Sequence, residues 1–211
     1  LKGSPVTNTM LEVATSSNLW VNLFIMVLCA PVAEELIFRK LLIDRLAQYG
    51  EGVAVLFSGL MFGLFHGNLN QFVYAFVLGL CFGFIYVKTG NIRYTIGLHM
   101  LVNFLGSVLG VAILKWLGDD FLSVASDPAG MMSYMTGNFG KLIVYFIYIF
   151  LLLGVAIAGI ILFIVNLKKI RFQPGMNTIP KGKRFSTTVL NVGMALYMIV
   201  WIVIIIVQLF Q

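Results

Sequence analysis

Residues Leu142–Val165 read LIVYFIYIFLLLGVAIAGIILFIV, 24 residues without a charge. At 1.5 Å of rise per residue, roughly 20 apolar residues cross a hydrocarbon core about 30 Å thick, so this stretch predicts a membrane-spanning helix. The rest of the chain agrees with it. The 211 residues are 60% hydrophobic and 10% charged, with 18 Phe and a mean hydropathy of +0.99, a composition that excludes a soluble domain with a polar surface. No ten-residue alternation of the outer-membrane barrel kind is present, which leaves helices rather than strands. The expected fold is all-α: a multi-pass transmembrane helical bundle in the cell membrane, with about six helices in one domain over residues 1–211.

Six apolar segments divide the chain. The first runs from about Asn18 to Tyr49, ends near Gly50, and is expected to kink at Pro31, which has no backbone N–H. The second, Gly52 to His66, is short for a full crossing and carries Ala54, Ser58, Gly59 and Gly63, small residues that allow close helix approach in lipid. The third, Gln71 to Lys88, presents Gly79 and Gly83 for the same purpose. The fourth spans Tyr94 to Lys115, the fifth Lys141 to Lys168 and the sixth Thr188 to Leu209. The motif-bearing core thus covers about 18–115, with the C-terminal helices at about 141–209. Leu1 in place of Met, with no signal peptide ahead of the first apolar run, is what a processed or trimmed chain would show.

The formal net charge of +6 has meaning here through its position along the topology rather than as a nucleic-acid footprint. Lys168, Lys169, Arg171, Lys181, Lys183 and Arg184 cluster between Asn166 and Ser186, whereas Gly118 to Gly140 holds Asp119, Asp120 and Asp127 and no basic residue. The positive-inside bias puts the basic loop, Lys40 with Arg45, and Lys88 with Arg93 on the cytoplasmic side, and both termini on the other. The basic loop is also suited to touch anionic lipid. Trp20 and Trp116 read as interfacial anchors, and Cys29 and Cys81, which lack metal or redox spacing, as small apolar packing residues.

Few ionisable groups lie at membrane depth: Glu34, Glu35, Arg39, and the chain's two histidines, His66 and His99. A charge there costs roughly 2.5–3.5 kcal/mol on insertion scales, which marks such residues as functional candidates. On a helix Glu35 and Arg39 are i and i+4, the better order for an ion pair, while Glu34 is rotated by about 100° and has no local partner. Glu34 and His66 each stand about 21–22 Å along their helices from the turn at 50–52, a matching depth if those helices are antiparallel neighbours. His99 and Asn103 share one face of a fourth helix. A carboxylate and an imidazole about one water apart can deprotonate that water for attack on a carbonyl, and a second imidazole and an amide can donate to the resulting oxyanion.

The stretch E-E-L-I-F-R (Glu34 to Arg39) resembles the EExxxR signature of the CPBP family, the CAAX prenyl endopeptidases and bacteriocin-processing intramembrane proteases. F-G-L-F-H (Phe62 to His66) is similar to its FxxxH motif, and H-M-L-V-N (His99 to Asn103) to its HxxxN motif, in the family's order. The resemblance covers roughly Val32 to Asn103. It implies an intramembrane endopeptidase acting on a membrane-associated peptide or protein, with Glu34 and His66 activating water, His99 and Asn103 stabilising the oxyanion, and Glu35 and Arg39 holding the site. It leaves metal use open: metal-free hydrolysis is favoured, no cofactor is expected, and Glu34, His66 and His99 would be the ligands if a divalent ion such as zinc were used. Partners are then the lipid bilayer and a membrane-associated substrate, and no nucleic acid.

Two readings from other classes compete. Intramembrane Glu and His also relay protons in transporters, although the chain shows no inverted repeat and is small for such folds. A non-catalytic membrane protein conferring immunity to a bacteriocin would need none of the four groups to react.

Overall fold

The computed structural model describes residues 14–118, 120–124, 127–177, 179–183, 186, 187 and 189–209, so Asp119 and Arg184 lie outside the described residues. It is a bundle of seven helices, and no strand is formed among the described residues. They are α1 (Leu19–Tyr49), α2 (Glu51–Phe65), α3 (Leu69–Thr89), α4 (Ile92–Leu117), the short α5 (Asp120–Val124), α6 (Pro128–Lys169) and α7 (Val192–Leu209). Five of these, α1, α3, α4, α6 and α7, are long and apolar enough to cross a membrane. The chain is a multi-pass integral membrane protein. The sixfold segmentation read from hydropathy matches α1–α4, α6 and α7, and the acidic connection adds α5. Asp127, one of the acidic residues of the 118–140 segment, caps the first turn of α6 by accepting from Ala129 and Gly130 N–H.

Pro31 does not stop α1. The helix widens into π-helical turns over Asn22–Cys29 and Leu36–Ile43, with an α-helical segment Ala30–Glu35 between them. Ala30 N–H reaches Ile25 carbonyl, five residues back. In that register the next donor would be Pro31, which has none, so the Met26 carbonyl is left for a partner from elsewhere. A third π-helical stretch, Phe104–Gly110, follows Asn103 in α4.

The hairpin of α2 and α3 packs at backbone contact. A Cβ on Gly79 would stand 2.8 Å from Gly59 Cα, closer than side chains tolerate, so the small-residue faces expected of these helices are what brings them together. Phe38, Phe62 and Ala75 form one core cluster and Ile43, Ala54 and Tyr86 another, both tying α1 to this hairpin. Ser58 Oγ donates to Phe38 carbonyl at 2.9 Å across the same junction. At the far end of the molecule, Leu117, Phe121 and Leu142 join α4, α5 and α6.

The groups assigned to the cytoplasmic side do meet at one end. Lys88 pairs with Glu51, whose Oε2 also accepts Gln173 N–H. Pro174 bridges to Gly50, and Asn177 Nδ2 donates to Gln48 Oε1 at 2.8 Å. The first part of the basic loop is therefore docked on the α1–α2 turn. Gly50, at φ +114°, and Gly175, where a Cβ would fall 2.3 Å from Gln48 carbonyl, permit that approach. Cys29 and Cys81 are free thiols on the outward, exposed surface, which corrects their expected place in the packing.

Candidate active site

The site lies where α1, α2, α3 and α4 converge. Met26, Ala30 and Glu34 follow one another every four residues along one face of α1 and line a cavity of ≈ 390 Å³. His66, at the end of α2, lines it too, together with Gln71 and Tyr74 of α3 and Val102, Asn103, Gly106, Ser107 and Val111 of α4. That volume falls within the range of small ligand pockets, about 300–1,000 Å³. Three of the four residues expected to carry chemistry thus share one wall.

Glu35 and Arg39 are fully buried, with Arg39 Nε 3.0 Å from Glu35 Oε2. This is a charge contact rather than an aligned hydrogen bond, since neither atom has a hydrogen-bond partner by angle. The guanidinium is instead held between aromatic faces, 4.5 Å from the centroid of Phe62 and 5.6 Å from that of Phe82. The other oxygen of Glu35, Oε1, accepts from His99 Nδ1 at 3.0 Å. A chain Arg39–Glu35–His99 therefore runs through the protein interior behind the cavity.

His99 is the residue whose surroundings differ most from the sequence expectation. It is buried, does not contribute to the cavity wall, and turns both ring nitrogens toward carboxylates: Nδ1 to Glu35, and Nε2 toward Glu34 Oε2 at 3.8 Å. Glu34 Oε2 is itself buried without a hydrogen-bond partner among the described residues. Geometry thus separates the adjacent acids as the helical wheel does: Glu35 is neutralised and fixed, Glu34 is left at the cavity.

His66 Nδ1 lies 2.9 Å from the carbonyl of Phe62 one turn earlier. A carbonyl can only accept, so Nδ1 carries the proton and Nε2 of the neutral ring is an acceptor. Phe62 packs edge-on against both histidines, with ring centroids 4.9 Å from His66 and 5.6 Å from His99. It also carries the Arg39 guanidinium on its face. Asn103 Nδ2 donates to Met26 carbonyl at 2.8 Å, and Ser107 Oγ to Asn103 carbonyl at 2.6 Å.

Sequence reasoning missed Gln71, Tyr74 and Asn22. Gln71 and Tyr74 are i and i+3 polar residues on one face of an otherwise apolar α3, a pattern that could have flagged them. Asn22, 1% exposed, joins α1 to α4 by donating to Ala14 carbonyl at 2.7 Å and Ser107 carbonyl at 3.1 Å. A polar side chain within an apolar run was its signal.

As for a metal, among the described residues no three of His, Cys, Asp and Glu come together at ligand spacing. Glu34, His66 and His99 are not drawn together as such a set here.

Residues 16–105 match the family described as type II CAAX prenyl endopeptidase Rce1-like. YdiL of Bacillus subtilis (strain 168), provisionally named a membrane peptidase, is 32% identical over 74 residues, covering 35% of this chain and 30% of YdiL. The membrane-embedded CAAX protease MroQ of Staphylococcus aureus (strain USA300) is 26% identical over 139 residues, 63% of this chain and 53% of MroQ. The chain therefore spans between about a third and about half of the length of these relatives. No solved structure matches it.

Proposed function

We propose, from the match of residues 16–105 to the type II CAAX prenyl endopeptidase Rce1-like family, that the chain is an intramembrane endopeptidase that hydrolyses a peptide bond of a membrane-associated substrate. The observation that carries this reading is the shared cavity of Glu34 and His66. Glu34 Oε2 is buried toward His99, which leaves Oε1 as the carboxylate oxygen for the cavity; that oxygen and His66 Nε2 are both acceptors, so a water held between them has each proton engaged and a lone pair left for attack.

Glu34 takes the proton as the water oxygen bonds to the carbonyl carbon. The carbonyl electrons move onto oxygen, return as the C–N bond breaks, and the proton held by Glu34 passes to the departing amine. The products are a carboxylic acid and an amine, and transfer of the acid's proton to the amine leaves a carboxylate and an ammonium. Asn103 lines the same cavity and has a second amide proton to offer the oxyanion, while His99 and Arg39 hold the adjacent acids. No step is routed through a metal.

The test is cleavage of a panel of prenylated and lipid-anchored peptides by the purified protein in liposomes. Wild type should cleave at least one, with Glu34→Gln and His66→Ala inactive. Full activity in either variant would overturn the assignment. A proton-coupled transporter would instead show flux driven by a pH gradient and abolished by Glu34→Gln, with no peptide cleaved.

A further inference from the structure

Gln71 is 6% exposed and lines the cavity with Glu34 and His66, yet the water-activating step does not use it. Its orientation is set by Asn68, the N-cap of α3. Asn68 Oδ1 accepts Gln71 backbone N–H at 2.8 Å, so the other branch of the Asn68 amide is its NH₂. That Nδ2 donates to His66 carbonyl at 3.1 Å and to Gln71 Oε1 at 3.0 Å. With its oxygen engaged, Gln71 is left with Nε2 as the branch for the cavity. The neighbouring donors are only partly available: His99 Nδ1 donates to Glu35 and its Nε2 lies toward Glu34 at 3.8 Å rather than on the cavity wall, and Asn103 Nδ2 gives one of its two protons to Met26 carbonyl. A tetrahedral oxyanion calls for preorganised donors at about 2.7–3.1 Å.

We propose that Gln71 is a catalytic residue whose Nε2 donates to the oxygen of the scissile carbonyl, and that Asn68 is the positioning residue that sets the polarity of the Gln71 amide. This assignment rests on the peptidase reading above and names a further group of the same site.

The experiment measures kcat and KM on one cleaved peptide for wild type, Gln71→Met, Asn68→Asp and the double variant, with thermal unfolding in detergent as the folding check. Gln71→Met keeps the length and removes the donor; kcat should fall about 10²–10³-fold with KM changed by less than about threefold. Asn68→Asp keeps the acceptor for Gln71 N–H but replaces the donor, so the Gln71 amide turns its oxygen to the cavity. Its kcat should fall nearly as far with Gln71 intact, and the double variant should lose little more. A Gln71→Met kcat within about threefold of wild type, with Glu34→Gln inactive, would overturn this assignment and leave the peptidase reading standing. Wild-type kcat in Asn68→Asp would overturn the polarity argument, and that arm decides if Gln71→Met fails to fold. Absence of cleavage by wild type would remove both.

Discussion

Asn103 Nδ2 donates to the carbonyl of Met26 at 2.8 Å, filling the acceptor that Pro31, lacking an N–H, leaves open in the π-helical register of α1. One side chain of α4 thereby fastens the wall of the cavity to the helix that bears Glu34. Asn103→Ala should destabilise the protein by about 1–3 kcal/mol, the cost of an unsatisfied buried acceptor. In a Pro31→Ala background that cost should shrink, because a backbone donor is restored. Thermal unfolding of the four proteins of this double-mutant cycle measures the coupling; strict additivity would contradict it.

The adjacent acids should respond oppositely. Glu35→Ala strands the fully buried Arg39 guanidinium and the His99 Nδ1 donor, and is expected to cost about 3–5 kcal/mol of stability. Glu34→Ala removes a half-buried carboxyl whose Oε2 has no hydrogen-bond partner among the described residues, so stability should change little while activity falls about 10²–10⁴-fold. A stable, inactive Glu35→Ala beside an unfolded Glu34→Ala would exchange the two roles.

Chelation provides a separate check on the metal-free mechanism. After exhaustive dialysis against EDTA and phenanthroline, peptidase activity should remain within about twofold of the untreated protein, since Glu34 and His66 suffice to activate water. Loss of activity that added zinc restores would require a ligand set other than the arrangement seen here.

Packing of the hairpin can be probed away from the site. Gly79→Ala places a methyl 2.8 Å from Gly59 Cα and should cost about 1–3 kcal/mol, as overpacking does. The unfolding temperature in detergent reads this directly. An unchanged temperature would mean that α2 and α3 separate at no cost.

The loop on the α1–α2 turn offers a fifth measurement. Gly175→Ala sets a Cβ 2.3 Å from Gln48 carbonyl and should expel the loop, exposing the bonds around Arg171 and Phe172 to trypsin and chymotrypsin. Limited proteolysis should cut the variant there at least about tenfold faster than wild type, as local opening of a few kcal/mol implies.

Much of this molecule is legible in its residues one at a time. Membrane crossing follows from uninterrupted apolar length, as in Leu142–Val165, because lipid leaves the backbone no partner but itself. The Glu35–Arg39 pair follows from helical periodicity, and the close α2–α3 contact from Gly59 and Gly79, since both depend on neighbours within a turn or on the absence of a side chain. The direction in which a ring or an amide turns depends on groups far away in the chain. His99 faces Glu35 across 64 positions and Asn103 reaches Met26 across 77, and neither spacing carries that information. The polar identity of Asn68 and Gln71 stands in the sequence, but only the fold brings Gln71, hydrogen-bonded to Asn68, to the cavity that Glu34 and His66 line. Local chemistry chose the residues, and long-range packing chose which of their atoms meet.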